Sequence, residues 1–189
     1  MQLLQRLSEL LSVNTKVKVA DASSRFTASC EGYARNNVIV VEVSGEPDAS
    51  GSPVYLHDIP AILKLANQLA QTADRFTVYA VSTGHNWGYG SALAPDELAV
   101  ILDLSLLQAI RFDDIASGLV TVEPGVTQQM LRNAIDAQKL PFMVPVTGAG
   151  PTCSILANAL ERGYGITPYT DHFAAVNAIK GFLPQGQRY

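Results

Sequence analysis

The chain has 189 residues, 48% hydrophobic and 16% charged, with a net charge of −4. That length suits one domain with a real core, and leaves no room for a second complete one. Thirteen basic against seventeen acidic residues, with no lysine or arginine run, exclude electrostatic binding of nucleic acid, while the low charge content leaves room for an apolar interface. Two distant cysteines, Cys30 and Cys153, without C-x-x-C spacing, and only three histidines, indicate neither a disulfide framework nor a zinc site, so reduced thiols and no metal are expected.

In chain order, Leu3, Leu4, Leu7, Leu10 and Leu11 recur at helical spacing over residues 1–13. Arg6 and Glu9 interrupt them, which a signal peptide would not tolerate. No apolar run approaches the roughly 20 residues that span a bilayer, so a soluble, cytoplasmic protein is expected. Residues 14–36 are polar and mixed, and Val38-Ile39-Val40-Val41 marks a strand over 37–43. After a loop at 45–53, Asp58 is positioned to cap a helix with Pro60 in its first turn and Ile62, Leu65, Ala66 and Leu69 on one face. Strands follow at 76–81, 98–104 and 119–122, with Asp113-Asp114 read as a solvated turn. A helix capped by Thr127 covers 127–139, with Met130, Leu131, Ala134 and Ile135 inward, and a short helix covers 154–162. Residues 176–183 alternate like a strand, and Pro184-Gln185-Gly186-Gln187 reads as a hairpin turn. Only two residues remain after it, so the hairpin is expected to lack its second arm and the sheet to end in mid-subdomain. The fold class is α+β with some βαβ character.

Three segments carry chemistry. The first, Ser82-Thr83-Gly84-His85-Asn86-Trp87-Gly88-Tyr89-Gly90, leaves a strand and gathers three glycines and two hydroxyls. Glycines at 84, 88 and 90 permit positive φ and close approach, so successive N–H groups can converge on a pyrophosphate. The spacing matches neither the G-x-G-x-x-G fingerprint nor a Walker loop, and a tight turn without ligand is the competing reading. Trp87 and Tyr89 read first as an aromatic lid on the core. The second segment is Pro124-Gly125, at a strand exit, and the third runs from Thr147-Gly148 through Gly150, Thr152, Cys153, Ser154 and Asn158 to Tyr164, Gly165 and His172.

The order of these motifs closely resembles the flavin-binding half of the vanillyl-alcohol oxidase and p-cresol methylhydroxylase family, over residues 53–189. The resemblance implies FAD held between two α+β subdomains, here 1–145 with the N-terminal helix and 146–189 as an incomplete second subdomain. It assigns Ser82 and Thr83 as hydroxyl donors, Gly84, Gly88 and Gly90 as close-approach positions and Asn86 as a bridge to phosphate. Pro124-Gly125 falls beside the adenosine part, and Thr147, Gly148, Gly150, Thr152, Cys153 and Ser154 fall near the flavin ring. Asn158, Tyr164, Gly165 and His172 continue the match, with Ala157 where the family has glycine. His85 stands where some relatives attach the flavin covalently; the competing role is a hydrogen bond to phosphate.

The implied function is the FAD-binding domain of an FAD-linked oxidoreductase that lacks the substrate domain, with no catalytic residue assigned. A non-catalytic flavin-binding or interaction module, or one subunit of a split enzyme, is the alternative. Self-association as a homodimer through the unfinished hairpin is expected.

Overall fold

The computed structural model describes residues 2–14, 18–21, 37–72, 75–85, 92–146, 150–165 and 169–189. Helix α1 (Gln2–Asn14) is followed by β1 (Lys18–Asp21), β2 (Asn37–Glu42), α2 (Tyr55–Leu69), β3 (Thr77–Val81) and β4 (Leu98–Asp103). Then come β5 (Ile110–Asp114), β6 (Leu119–Val122), α3 (Gln128–Ala137), α4 (Ile155–Leu160) and a 3₁₀ turn at His172–Ala175. Among the described residues no helix is long and apolar enough to cross a membrane.

The main sheet has the order β1-β2-β4-β3, with β1 antiparallel to β2 and the other three strands parallel. Continuous apolar runs make β2 and β4 the buried centre, because central parallel strands are covered on both faces. Alternate side chains serve two layers. Ile39, Val41, Val100 and Leu102 pack with Leu7 and Leu11 of α1 and Ile59 and Ile62 of α2. Val38, Val40, Ala99 and Ile101 face the other way, onto Ala92 and Ala94. Those two alanines lie in the last part of the β3–β4 connection, on the sheet face opposite the helices. Small side chains there let the connection's backbone come close to the sheet.

A second unit is built on the β5–β6 hairpin, whose Ile110, Phe112, Val120 and Val122 pack with Val126, Leu131, Ile135 and Val144 around α3. Thr127 caps α3 as expected, its hydroxyl accepting from Met130 N at 3.2 Å.

Four expectations are corrected. Helix α2 begins at Tyr55, with Val54 at the cap position making no side-chain cap. Asp58 is buried inside it, and Pro60 lies past the first turn. The start is set instead by the preceding loop, which closes through a Pro47–Pro53 bridge and Val54 N donating to Glu46 O at 2.9 Å. Asp113 and Asp114 end a strand, β5, that short alternation concealed; Asp114 then accepts from Ala116 N at 3.0 Å to lead the turn. Residues 176–180 form no strand, because alternation without a neighbouring edge yields no ladder.

The hairpin does have a second arm. Phe182 bridges Arg188, Leu183 N donates to Gln187 O at 2.7 Å, and Tyr189 N donates to Gly181 O at 3.1 Å. Gly186, at φ +80°, fits against α2, where a Cβ would lie 2.9 Å from Pro60 O. Phe182 joins the main core. The hairpin is therefore docked on its own domain, and pairing of two copies through an unfinished edge there loses its basis.

Candidate cofactor site

The parallel strands β2, β4 and β3 end together. Val43 N donates to Asp103 O at 3.0 Å and Leu104 N to Val81 O at 2.8 Å, so the carboxyl edge is level where the glycine-rich loop departs. In open α/β sheets this edge is where ligands bind. Ser82 is half-buried and Thr83 buried, and Gly84 takes the left-handed conformation, φ +67°, that its residue type was expected to supply. Asn86, Trp87, Gly88, Tyr89 and Gly90 lie outside the described residues, as do Thr147 and Gly148.

His85 is exposed and joins the first predicted segment to the third. Its Nδ1 lies 3.3 Å from Thr152 O, and Cys153 Sγ–H donates to His85 O at 3.2 Å. Burial, followed by the nearby Glu161 carboxylate, pushes the Cys153 thiol up, which keeps the hydrogen on sulfur.

The second segment joins the third through Ser154. Its hydroxyl accepts from Ala157 N at 3.2 Å, capping α4, and donates to Pro124 O at 2.7 Å. Gly125 is a close-approach position: a Cβ there would lie 2.3 Å from Ser105 O and 2.7 Å from Leu107 O. Gln128 N and Gln129 N, at the start of α3, donate to Cys153 O and Pro151 O at 3.0 and 2.9 Å. These bonds commit the Ser154 hydroxyl hydrogen, the Cys153 thiol and two α3 amides to the framework. Gly150, at φ +105°, differs, since among the described residues nothing lies within 4 Å of the Cβ it lacks.

Asn158, Gly165 and His172 form one cluster. The Asn158 side-chain amide donates to His172 Nδ1, and His172 N donates to Gly163 O at 2.8 Å. A Cβ on Gly165 would lie 2.5 Å from Val146 O and 2.7 Å from His172 Nε2. Burial holds the His172 imidazole below its ordinary value, so it serves as a neutral acceptor at Nδ1. Tyr164 is 61% exposed at the rim.

Sequence reasoning passed over Glu123 and Tyr55. Glu123 Oε2 accepts from Ala109 N at 2.9 Å and Oε1 accepts from Tyr55 OH at 3.2 Å, which anchors the strand exit just before Pro124-Gly125. An acid placed directly before Pro-Gly was the available signal. Burial and then the Glu123 carboxylate push the Tyr55 hydroxyl up, so it remains a donor.

The arrangement suits a dinucleotide. A left-handed glycine at the strand edge, a turn where backbone meets backbone and an open left-handed glycine offer approach without side-chain obstruction, while the capped helices hold the segments rigid. Together with the α+β fold, these features suit a nucleotide-cofactor-binding domain.

Residues 52–188 match the FAD binding domain family, and the chain belongs to that family. It is 34% identical over 168 residues, 89% of this chain, to 1'-carboxy-chondrochloren decarboxylase of Chondromyces crocatus. It is 29% identical over 157 residues, 83% of this chain, to the flavoprotein subunit of 4-cresol dehydrogenase [hydroxylating] of Pseudomonas putida. A crystal structure of p-cresol methylhydroxylase with substrate bound superimposes over 100% of this chain, with a TM-score of 0.71 and 25% identity. The chain spans 29% of the length of both curated relatives and 34% of that crystal chain. The mixed helix and strand fold of the p-cresol methylhydroxylase type and its cofactor, FAD, are thereby shown for the family to which this chain belongs.

Proposed function

We propose that this chain forms the cofactor seat of an FAD-linked oxidoreductase of the p-cresol methylhydroxylase type, whose substrate-facing residues are carried elsewhere. When bound, the flavin supplies two-electron chemistry, accepting a hydride from an alcohol, phenol or amine-like donor. The observation that carries this reading is the convergence of the three motif segments, His85 on Thr152 and Cys153, and Ser154 on Pro124, within a match to the FAD binding domain over 52–188. Ser82, Thr83 and Gly84 open the pyrophosphate cradle at the strand edge. Gly125 lets the turn after β6 pack on the backbone at Ser105 and Leu107, which sets the adenosine side, and Gly150 leaves space near the ring. Asn158, Gly165 and His172 brace the segment behind it.

His85 is the attachment point in this reading. Held by Thr152 and Cys153, its imidazole would be placed to hold the flavin covalently, and the bound flavin would supply the two-electron chemistry. A cytoplasmic setting and a homodimer complete the proposal, the latter supported by apolar surface at Met143 and Tyr169, 70% and 92% exposed.

Purified protein incubated with FAD tests the reading directly. A flavin absorption spectrum is expected, with colour retained in the acid precipitate if His85 is bonded to it. Protein that takes up neither FAD nor FMN removes the function. Oxidation of a phenolic donor by the chain alone would show that no further substrate domain is needed.

A further inference from the structure

A carbonyl oxygen can only accept a hydrogen bond, so a histidine nitrogen paired with one must carry the hydrogen. His85 Nδ1 faces Thr152 O at 3.3 Å. In a neutral imidazole the other nitrogen is then the acceptor. A second bond fixes the same residue from its backbone, where Cys153 Sγ–H donates to His85 O at 3.2 Å. Side chain and main chain of one residue are thus held by two consecutive residues of another segment.

That segment cannot easily yield. Cys153 is 4% exposed, its O accepts from Gln128 N at 3.0 Å, and its N donates to Gly150 O at 3.2 Å. Ser154, next in the chain, is locked between Ala157 N and Pro124 O.

We infer that residues 152–153 clamp His85 with its hydrogen on Nδ1, so that the neutral ring presents Nε2 as its acceptor beside the cofactor loop. Cys153 is a positioning residue in this arrangement. The clamp bears on the two roles open to His85 whenever the ring is neutral. Its one N–H is then bound to Thr152 O and none is left for phosphate, whereas the Nε2 lone pair suits an electrophilic carbon or a donor group of the ligand. The nucleophilic part of this inference rests on the attachment proposed above; the tautomer does not.

The full chain without flavin, labelled with ¹⁵N in its imidazoles, reports the tautomer by NMR at about pH 8, where histidine is ordinarily neutral. Signals lost in His85→Gln assign the residue. Protonated Nδ1 and bare Nε2 are expected for the parent and for Cys153→Ser, which keeps a donor to His85 O. In Cys153→Ala the second tautomer should become populated. An Nε2–H tautomer in the parent, or an Ala variant with the parent's spectrum, overturns the clamp. Incubation with FAD then gives the second readout. Acid-stable flavin should accumulate about ten- to a hundred-fold more slowly in Cys153→Ala, as expected for a misplaced nucleophile, with the Ser variant restoring most of the rate. A parent in the expected tautomer that never retains flavin would refute the attachment and leave the clamp standing. Equal rates in all three proteins would overturn the positioning role.

Discussion

The hydroxyl of Ser154 lies 2.7 Å from the carbonyl oxygen of Pro124, thirty positions earlier in the chain. One side chain thereby caps α4 and ties it to the turn at the exit of β6. Ser154→Ala should remove the cap and leave Pro124 O without this donor, at a cost of about 1–3 kcal/mol. Urea unfolding measures it, and a loss below about 0.5 kcal/mol would show the bond to be incidental.

Gly125 tests close approach without involving the ligand. Gly125→Ala places a Cβ 2.3 Å from Ser105 O, which forces the β4–β5 connection apart and should destabilise the fold by about 1–3 kcal/mol. Gly150→Ala meets nothing within 4 Å among the described residues. It should cost only the strain of its positive φ, about 1 kcal/mol. Thermal unfolding of the pair distinguishes contact from backbone strain.

Gly84→Val adds a branched side chain at φ +67°, with strain of about 1–3 kcal/mol at the entrance of the cradle. FAD affinity should fall while the fold survives. Fluorescence quenching should also show the parent preferring FAD to FMN, since the cradle addresses a pyrophosphate. Equal affinity for both would place binding elsewhere.

His172 predicts a direction with pH. Burial depresses its folded value, with Asp171 opposing, so between that value and the unfolded one, about 6.5, the unfolded chain binds more protons. Its contribution to stability is therefore complete above the unfolded value and declines as pH falls through the window. Urea unfolding of the parent and of His172→Gln, at about pH 7.5 and pH 5, should show a smaller acid loss in the variant. The same acid loss in both would assign the pH effect to other groups.

Leu7 and Leu11 of α1 are fully buried against β2 and β4. Leu11→Ala should cost about 2–5 kcal/mol. A chain starting after Val13 should aggregate, whereas the full chain stays disperse, as light scattering can show. A well-behaved truncated chain would mean that α1 is not part of the core.

Apolar runs and glycine positions determined a large share of this protein before any contact was known. Val38 to Val41 could only be a buried strand, Thr127 could only precede a helix, and Gly84 stood where a strand meets a left-handed turn. The glycine-rich loop pointed to a pyrophosphate, because the demand for bare backbone near phosphate is local and leaves its mark in residue type, and the resemblance of the motif order implied the flavin. Tertiary structure decided what depends on partners distant in sequence. Alternation at residues 176–180 yielded no strand for want of an edge, and the last three residues completed a hairpin because α2 offered a surface to dock on. Cys153 and Ser154 were assigned by resemblance to the flavin ring, and the fold commits their hydrogens to the framework. Only the folded chain brings His85 and Pro124 within reach and shows where their hydrogens go, since a hydrogen bond across thirty or seventy residues is specified by packing and not by either residue's neighbours.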